Sequence, residues 1–271
     1  YPPPMASEQY SHGHHQSVVG AHAVRTAADS AAYLLPYLEP GMTLLDVGCG
    51  PGSITADLAN LVDPGSVTGL DQSEDVVAQA RKLAASRGLD NAGFVAGNVY
   101  DLDFPDAAFD VVHAHQVLQH LADPVAALRE MRRVTRPGGI VAVRDADFHG
   151  MSWYPELPEL TDWMDTYQLI ARGNAAQPDA GRRLVSWILA AGFTEFVPSA
   201  SSWLYATPDR REWFGDGWAQ RVLHSAFAGQ ALDRELADQA GLDRMAAGWR
   251  RWSQSPDGWF LIPSGEIIAW A

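Results

Sequence analysis

The segment Thr43–Thr55, with the sequence Thr-Leu-Leu-Asp-Val-Gly-Cys-Gly-Pro-Gly-Ser-Ile-Thr, joins a short apolar run to the start of a helix. It predicts a buried strand over Thr43–Val47, a tight turn, and a helix that begins near Ser53. Glycine occupies alternate positions of the turn, so backbone and ligand can approach closely and positive φ angles cost little. The free N–H groups at the start of the helix would face the same crevice. The segment therefore predicts a ligand site at the carboxyl end of the strand.

A second apolar run, Val67–Leu70, ends in Asp71. An acidic residue at the end of the strand beside the glycine turn can accept hydrogen bonds from the two hydroxyl groups of a ribose, so we expect a nucleoside ligand. A dinucleotide fingerprint would place its third glycine one position later, where this chain has Ser53. The spacing therefore disfavours an NAD(P) oxidoreductase. That alternative would be favoured again if the protein bound a nicotinamide cofactor.

The pattern Asp-x-Gly-x-Gly-x-Gly over Asp46–Gly52, followed by Asp71, resembles that of class I S-adenosylmethionine-dependent methyltransferases. Within that family it is most similar to the small-molecule group related to the ubiquinone-biosynthesis methyltransferases, over roughly residues 40–146. The segment 106–112 also resembles the family's Phe-Asp-x-Val motif. The resemblance implies S-adenosylmethionine as cofactor. It also implies a Rossmann-like α/β fold, a doubly wound, seven-stranded and mostly parallel sheet with helices on both faces.

The resemblance also implies roles for single residues. Asp46 would orient the amino group of the cofactor's methionine, directly or through water. Asn98 occupies the place of an acid that usually binds the adenine amino group, and its carbonyl oxygen can accept the same bond. The backbone of His115 would line the methyl-donor pocket. The implied cofactor-binding residues are Tyr10, Asp46, Gly48, Cys49, Gly50, Gly52, Asp71, Gln72, Asn98, Val99 and His115.

The amino-acid composition limits the classes of partner that we expect. With 33 acidic and 19 basic side chains, the net charge of −14 would repel a phosphate backbone, so no nucleic acid partner is predicted. A single cysteine excludes a disulfide framework. The sequence shows no signal peptide and no apolar run long enough to span a membrane, so we expect a soluble cytoplasmic protein without a membrane partner.

Residues 1–39 are predicted to form an arm and a helix, about Gln16–Leu38, over the cofactor site. Arms of this kind in the family often fold over the cofactor, so Tyr10 and His14 are candidates for contact with cofactor or substrate. A cluster of histidines near His14 lacks a cysteine or carboxylate at ligand spacing, and no metal site is predicted.

Residues 40–150 are predicted to form the cofactor-binding core, because helical and strand patterns alternate along them. A helix is expected over Ser73–Ser86, a third strand over Gly93–Ala96 and a fifth over Ile140–Arg144. Such alternation, with continuous apolar strands, indicates a parallel sheet covered on both faces. His113 is predicted to be a hydrogen-bonded histidine within the sheet.

All ten tryptophans lie beyond residue 150. Residues 151–271 are expected to supply the remaining core strands, over Phe193–Ala206 and over Trp259–Trp270, the latter interrupted at Pro263-Ser264-Gly265. A helix is expected between the fifth and sixth strands, over Ala180–Ala190.

Two helical insertions, about 153–175 and 208–252, should pack together as a cap that excludes water and selects the acceptor. The second insertion should break at Gly229 and Gly241. Trp249 and Trp252 are expected to be packing residues, whereas Trp153, directly after the fifth strand, has a better claim to the acceptor pocket. An alternative is that the insertions lie between the subunits of a homodimer, as in some relatives.

These features predict an enzyme that transfers a methyl group to an oxygen, nitrogen or carbon atom of a small, apolar or aromatic molecule. His14, His115 and His149 are the candidate general bases, since histidine titrates near working pH. The Asn/Asp-Pro-Pro-Tyr/Phe motif of members that methylate base amines or glutamine is absent after the fourth strand. A protein that binds S-adenosylmethionine without methyl transfer remains an alternative.

Overall fold

A twisted sheet of eight strands forms the centre of the computed structural model, which describes residues 25–271. Tyr10 and His14 lie outside the described residues. The strands are β1 Thr43–Val47, β2 Ser66–Asp71, β3 Ala92–Ala96, β4 Phe109–His115, β5 Thr135–Ala146, β6 Ser152–Tyr154, β7 Glu195–Tyr205 and β8 Trp259–Trp270.

Helices cover both faces of the sheet and form the cap. They are α1 Ala27–Ser30, α2 Ser53–Val62, α3 Glu74–Ser86, α4 Pro124–Val134, α5 Pro158–Gly173, α6 Leu184–Ala190, α7 Pro208–His224, α8 Ala226–Asp233 and α9 Gln239–Gln254. Over the described part of the chain, no helix is long and apolar enough to cross a bilayer.

The sheet order is β3-β2-β1-β4-β5-β8, with β7 on the far edge of β8. Strands β1 to β5 run parallel, while β8 is antiparallel to both β5 and β7. The short β6 pairs with the first residues of β8 and was not predicted. The order reverses between β1 and β4, and ligands of open α/β sheets bind at such a reversal. The Rossmann-like α/β fold class is confirmed.

The apolar runs of the strands follow from burial on both faces. Leu44 packs against α2 and the segment after α1, whereas Leu45 packs against α4 and α6. Successive side chains of a strand point to opposite faces, so a strand covered on both sides needs an unbroken apolar sequence. This requirement explains why β1 could be located from sequence.

Two helices begin with a side-chain cap, and the first of them confirms the predicted helix start at Ser73. The Ser73 hydroxyl caps α3 by accepting a hydrogen bond from the N–H of Val76 at 3.4 Å. The Asp123 carboxylate caps α4 by accepting from Ala126 N–H at 2.9 Å, with Pro124 in the first helical position. Both caps satisfy backbone donors that the helix itself leaves unpaired.

The predicted helix Gln16–Leu38 is wrong over most of the residues that the structure describes, because α1 begins at Ala27 and ends at Ser30. The chain leaves α1 there and makes only a 3-10 turn over Leu35–Tyr37. Pro36 lacks an N–H and disfavours helical geometry in the residue before it.

Strand β5 is longer than predicted, and β8 has the predicted bounds but no interruption. Strand β5 begins directly after α4, where Thr135 pairs with Phe109 of β4, and Gly138 and Gly139 exchange backbone hydrogen bonds with Ala271 at 2.8 and 3.0 Å. Strand β8 is continuous through Pro263. The carbonyl of Pro263 accepts from Asp147 N–H between the β5 and β6 pairings, so a proline without an N–H is tolerated at that gap.

The cap helices α5, α7, α8 and α9 pack together around an aromatic core, seated on the first residues of β8. Its buried aromatic residues are Phe148, Trp163, Tyr167, Tyr205, Phe214, Trp218, Phe227, Trp249, Trp252 and Phe260. Trp249 and Trp252 are thus packing residues, as predicted. The helix breaks do not fall at Gly229 or Gly241: Ser225 caps α8, and Gly241 lies in the first turn of α9.

Candidate active site

The glycine turn between β1 and α2 has an unusual backbone. Gly48, Gly50 and Gly52 have φ angles of +68°, +55° and +84°, in the left-handed region that side chains disfavour. A Cβ at Gly48 would collide with Val117, and one at Gly52 would lie 2.8 Å from Ala80 Cβ. At Gly50, no atom of the described residues lies within 4 Å of that position. Two glycines therefore permit close packing, and the third borders open space.

Asp71 is fixed beside this turn. One carboxylate oxygen accepts from Gly50 N–H at 3.1 Å and the other from Ser73 N–H at 3.0 Å. The amides of Gly48 and Cys49 both donate to the Leu70 carbonyl, at 2.7 and 2.9 Å, which ties the turn to the end of β2. Each carboxylate oxygen keeps acceptor capacity for a ligand hydroxyl.

The other cofactor candidates near these strand ends have different environments. The Cys49 side chain is buried, and burial followed by the charges of Asp46 and Asp71 raises the pKa of its thiol far above the ordinary value. A neutral buried thiol is inert, so Cys49 acts as a small packing residue. Asn98 is exposed, and its side-chain oxygen accepts from Tyr100 N–H at 3.0 Å, which leaves one lone pair.

Val99 and Gln72 flank these residues. Val99 packs partly against the core, and Gln72 is exposed at the end of β2.

Asp46 joins three elements at the end of β1. Its carboxylate accepts from the Thr55 hydroxyl of α2 at 2.5 Å and lies 2.8 Å from Nδ1 of His113 on β4. Both Asp46 and His113 are buried, so His113 is the hydrogen-bonded sheet histidine that was predicted. Both Asp46 oxygens already have protein partners, and its contact with the methionine amino group stays a prediction.

Substitutions at Gly52 and at a control glycine distinguish the cost of backbone strain from the cost of steric overlap by an added Cβ. Gly52→Ala is expected to lower the free energy of unfolding by roughly 2–3 kcal/mol, because the new Cβ overlaps α3 at Ala80. Gly88→Ala is the matched control: its φ of +68° is also in the left-handed region, but no described atom lies within 4 Å of the added Cβ. Urea unfolding should show a cost of only about 1 kcal/mol there. Equal losses in the two variants would contradict the overlap.

The corner after β4 is the other distinctive backbone feature. Gln116 has a φ of +55° although it is not glycine, and such outliers concentrate at functional sites. Its N–H donates to the Arg144 carbonyl at 2.7 Å, and its side-chain oxygen accepts from Arg25 at 3.0 Å. The neighbouring His115 is buried, with its ring centroid 5.6 Å from that of Trp203.

Burial shifts the pKa of two titratable side chains close to this corner towards the neutral form. Burial raises the pKa of Asp145 to about 7, although Gln119 N–H donates to its carboxylate at 3.0 Å. Burial, followed by the charge of Arg25, lowers the pKa of His120 to about 3. The low-polarity surroundings therefore favour the neutral form of both an acid and a base.

The raised pKa of Asp145 predicts a pH-dependent stability. The folded protein holds a proton that the unfolded chain releases, so this residue makes the free energy of unfolding fall as pH rises from 3.8 towards about 7. Asp145→Asn lacks that ionisation. We expect its stability relative to wild type to rise across this pH window and then level off, as measured by urea unfolding. Asp75→Asn, on the exposed side of α3, is the control, and a parallel rise there would refute the assignment.

The remaining acceptor-site candidates lie apart from this corner. His149 is exposed on a turn after β5, where its backbone N–H donates to Asp179 at 2.9 Å. Trp153 is half-buried and stacks on Phe260 with ring centroids 5.6 Å apart, and Tyr154 is exposed. Among residues 25–271, no three His, Cys, Asp or Glu side chains form a group that could hold a metal ion.

The structure gathers the glycine turn, Asp71, Asp46 and His115 at the ends of β1, β2 and β4. Sequence reasoning missed Thr55, Gln116 and the buried pair Arg144–Glu266. One available signal was a charged side chain inside an otherwise apolar strand, as at Arg144 and Glu266.

Comparison with known proteins gives consistent matches. Residues 38–195 match a family described as a methyltransferase domain. A methyltransferase of Schizosaccharomyces pombe is 36% identical over 268 residues, which cover 96% of this chain and 95% of that protein. The ubiquinone/menaquinone biosynthesis C-methyltransferase of Shewanella baltica is 31% identical over 172 residues, 58% of this chain and 68% of that one. The crystal structure of the cyclase SpnF is 25% identical, with a TM-score of 0.52, over 92% of this chain and 79% of that one.

Proposed function

This chain belongs to the class I S-adenosylmethionine-dependent methyltransferases, and we propose that it methylates an oxygen, nitrogen or carbon nucleophile of a small molecule. S-adenosylmethionine is its cofactor. The observation that carries the proposal is the open glycine turn beside Asp71, whose carboxylate is held by two backbone N–H groups. An added Cβ at Gly50 would enter the space that a nucleoside needs.

The residues at the strand ends fit the cofactor by their chemistry. Asp71 would accept hydrogen bonds from the ribose hydroxyls, and the free lone pair of Asn98 would accept from the adenine amino group. Val99 supplies an apolar surface beside Asn98, and the backbone of His115 would border the methyl-donor end. Tyr10, outside the described residues, remains a proposed contact.

When bound, the cofactor supplies a methyl group that is already electrophilic because it is attached to a sulfonium. The chain itself must hold the nucleophile in line and exclude water. His115 is the candidate general base within the buried corner, where proton transfer over hydrogen-bond distance is feasible. His149 is exposed and would need an acceptor that extends to the turn after β5.

A small acceptor with an apolar or aromatic part is supported by the surroundings of the corner. The Trp203 ring lies beside His115 at the end of β4. The aromatic side chains of the cap core mainly contact each other. The net charge of −14 supports a small molecule over nucleic acid as acceptor.

A second candidate is a protein that binds S-adenosylmethionine and catalyses a different reaction. The similarity to the cyclase SpnF across most of this chain favours keeping it. The two candidates share the cofactor site and differ in the product.

The test is incubation of the protein with S-adenosylmethionine and a panel of quinols, phenols, amines and organic acids. The proposed function predicts S-adenosylhomocysteine together with a methylated product, in equal amounts. An isomerised product of unchanged mass, without S-adenosylhomocysteine, would favour the second candidate. Binding of NADH in place of S-adenosylmethionine would overturn both. Sedimentation would test whether the chain forms a homodimer.

A further inference from the structure

Arg144 carries an unused pair of hydrogen-bond donors inside the protein. Its side chain is 1% exposed. Nε donates to Ser201 Oγ at 3.1 Å and to Glu266 Oε1 at 3.2 Å, whereas Nη1 and Nη2 have no hydrogen-bond partner within the described part of the chain. Leaving such donors unpaired in the interior is costly, and native proteins rarely do so. The outer edge of the guanidinium therefore indicates a missing ligand.

The neighbouring carboxylate does not fill that role. Glu266 accepts from Ser199 at 2.8 Å on one oxygen, and from Ser201 and Arg144 Nε on the other. Both oxygens of Glu266 therefore have donors other than Nη1 and Nη2 of Arg144.

Two hydroxyl groups on the same face of the sheet, those of Ser264 and Tyr33, are also buried without partners among residues 25–271. His115, Arg144 and Glu266 lie opposite one another in register on β4, β5 and β8, so their side chains share a face. Ser264 lies two positions from Glu266 on β8, and its hydroxyl has no partner among the described residues. The same holds for the Tyr33 hydroxyl, which covers this face near Arg144.

Two guanidinium groups lie at the Trp203 ring. Arg25 and Arg144 approach it with guanidinium carbons 4.9 and 4.6 Å from the ring centroid. Among residues 25–271, Glu266 is the only acidic side chain that forms an ion pair with Arg144. A cation in a buried site is stabilised further by an anionic ligand.

We infer that the outer edge of Arg144 binds a carboxylate of the methyl acceptor, beside the Trp203 ring and within reach of Tyr33 and Ser264. The inference rests on the proposed function, and it narrows the acceptor to an organic acid with an apolar or aromatic part. The geometry favours a carboxylate because its two oxygens match the parallel N–H groups of a guanidinium. The methionine part of the cofactor also carries a carboxylate, and the test distinguishes that carboxylate from one on the acceptor.

The test uses benzoate and benzamide as probes, titrated calorimetrically into the protein saturated with S-adenosylhomocysteine. Benzoate is expected to bind at least tenfold more tightly than benzamide, roughly the value of one charge-assisted hydrogen bond. Arg144→Lys keeps the charge next to Glu266 but loses the fork, and should weaken benzoate about tenfold. Arg144→Met combined with Glu266→Gln removes both charges and should weaken it about 100-fold.

Three control measurements accompany the titration. Affinity for S-adenosylhomocysteine should change by less than about twofold in these variants, since the cofactor contacts lie elsewhere. Arg210→Met removes an exposed guanidinium 5.2 Å from the Tyr205 ring and should leave benzoate affinity unchanged. Thermal unfolding of each variant checks that it is folded.

Several outcomes would overturn the inference. They are failure of benzoate to bind, equal binding of benzamide, and unchanged benzoate affinity in the folded double variant. A parallel loss of S-adenosylhomocysteine affinity would assign Arg144 to the cofactor's carboxylate instead. Failure of the wild-type protein to bind S-adenosylhomocysteine is a different result, because it would count against the proposed function itself.

Discussion

Asp71→Ala is expected to weaken binding of S-adenosylmethionine and S-adenosylhomocysteine by roughly 100-fold or more. The carboxylate both orders the turn, through Gly50 N–H and Ser73 N–H, and would hold the ribose hydroxyls. Alanine removes all of these bonds and leaves two backbone donors beside the ligand unpaired. Calorimetric titration with each nucleoside measures the loss.

Asp75→Ala is the matched control for this experiment. Asp75 is also acidic and lies in the first turn of α3, but it is exposed and has no hydrogen bond with the glycine turn. Its replacement should change affinity by less than about threefold, the effect of a screened surface charge. Similar losses of affinity in both variants would show a general charge effect. Unchanged affinity in Asp71→Ala would contradict the proposal that Asp71 binds the ribose.

Trp163→Ala is expected to lower the free energy of unfolding by about 3–5 kcal/mol. Trp163 is 0% exposed at the centre of the cap, with ring centroids 4.6 Å from Trp218 and 4.8 Å from Trp249. The surrounding rings belong to three helices, so they cannot collapse into the cavity without moving those helices. Urea unfolding followed by tryptophan fluorescence measures the change.

Trp213→Ala on α7 is the control, because its side chain is 45% exposed and stacks on Tyr205. A loss below about 1 kcal/mol is expected for a partly exposed side chain. A small effect at Trp163 as well would mean that the cap core is not well packed. A separate unfolding transition in the Trp163 variant would show that the cap unfolds independently of the sheet.

Local sequence signals predicted most of the core. The strand β1, the start of α2 at Ser53 and the cap of α3 by Ser73 depend on residues close together in the chain, so their patterns can be recognised without the fold. The approach of Asp71 to Gly50 also followed, because adjacent parallel strands bring their carboxyl ends to one edge.

Errors occurred where a distant partner overrides a local signal. Pro263 was expected to interrupt a strand. It lies between the segments of β8 that pair with β5 and with β6, where no backbone N–H is needed, so the strand continues through it. Gly138 and Gly139 lie before the predicted fifth strand, Ile140–Arg144, yet they belong to β5 and exchange hydrogen bonds with Ala271. Glycine and proline limit the conformations that the backbone can adopt locally, and the partner strand determines which of these conformations it adopts.

The sequence by itself determined the fold class, the glycine turn and the type of cofactor, since each is specified by residue types at short spacing. The tertiary structure decided the polar arrangement around Arg144. Its partner Glu266 is 122 positions away, and only the pairing of β5 with β8 sets them side by side. Strand register between distant segments leaves no periodic trace in the sequence, because it arises from the summed packing of both faces of the sheet.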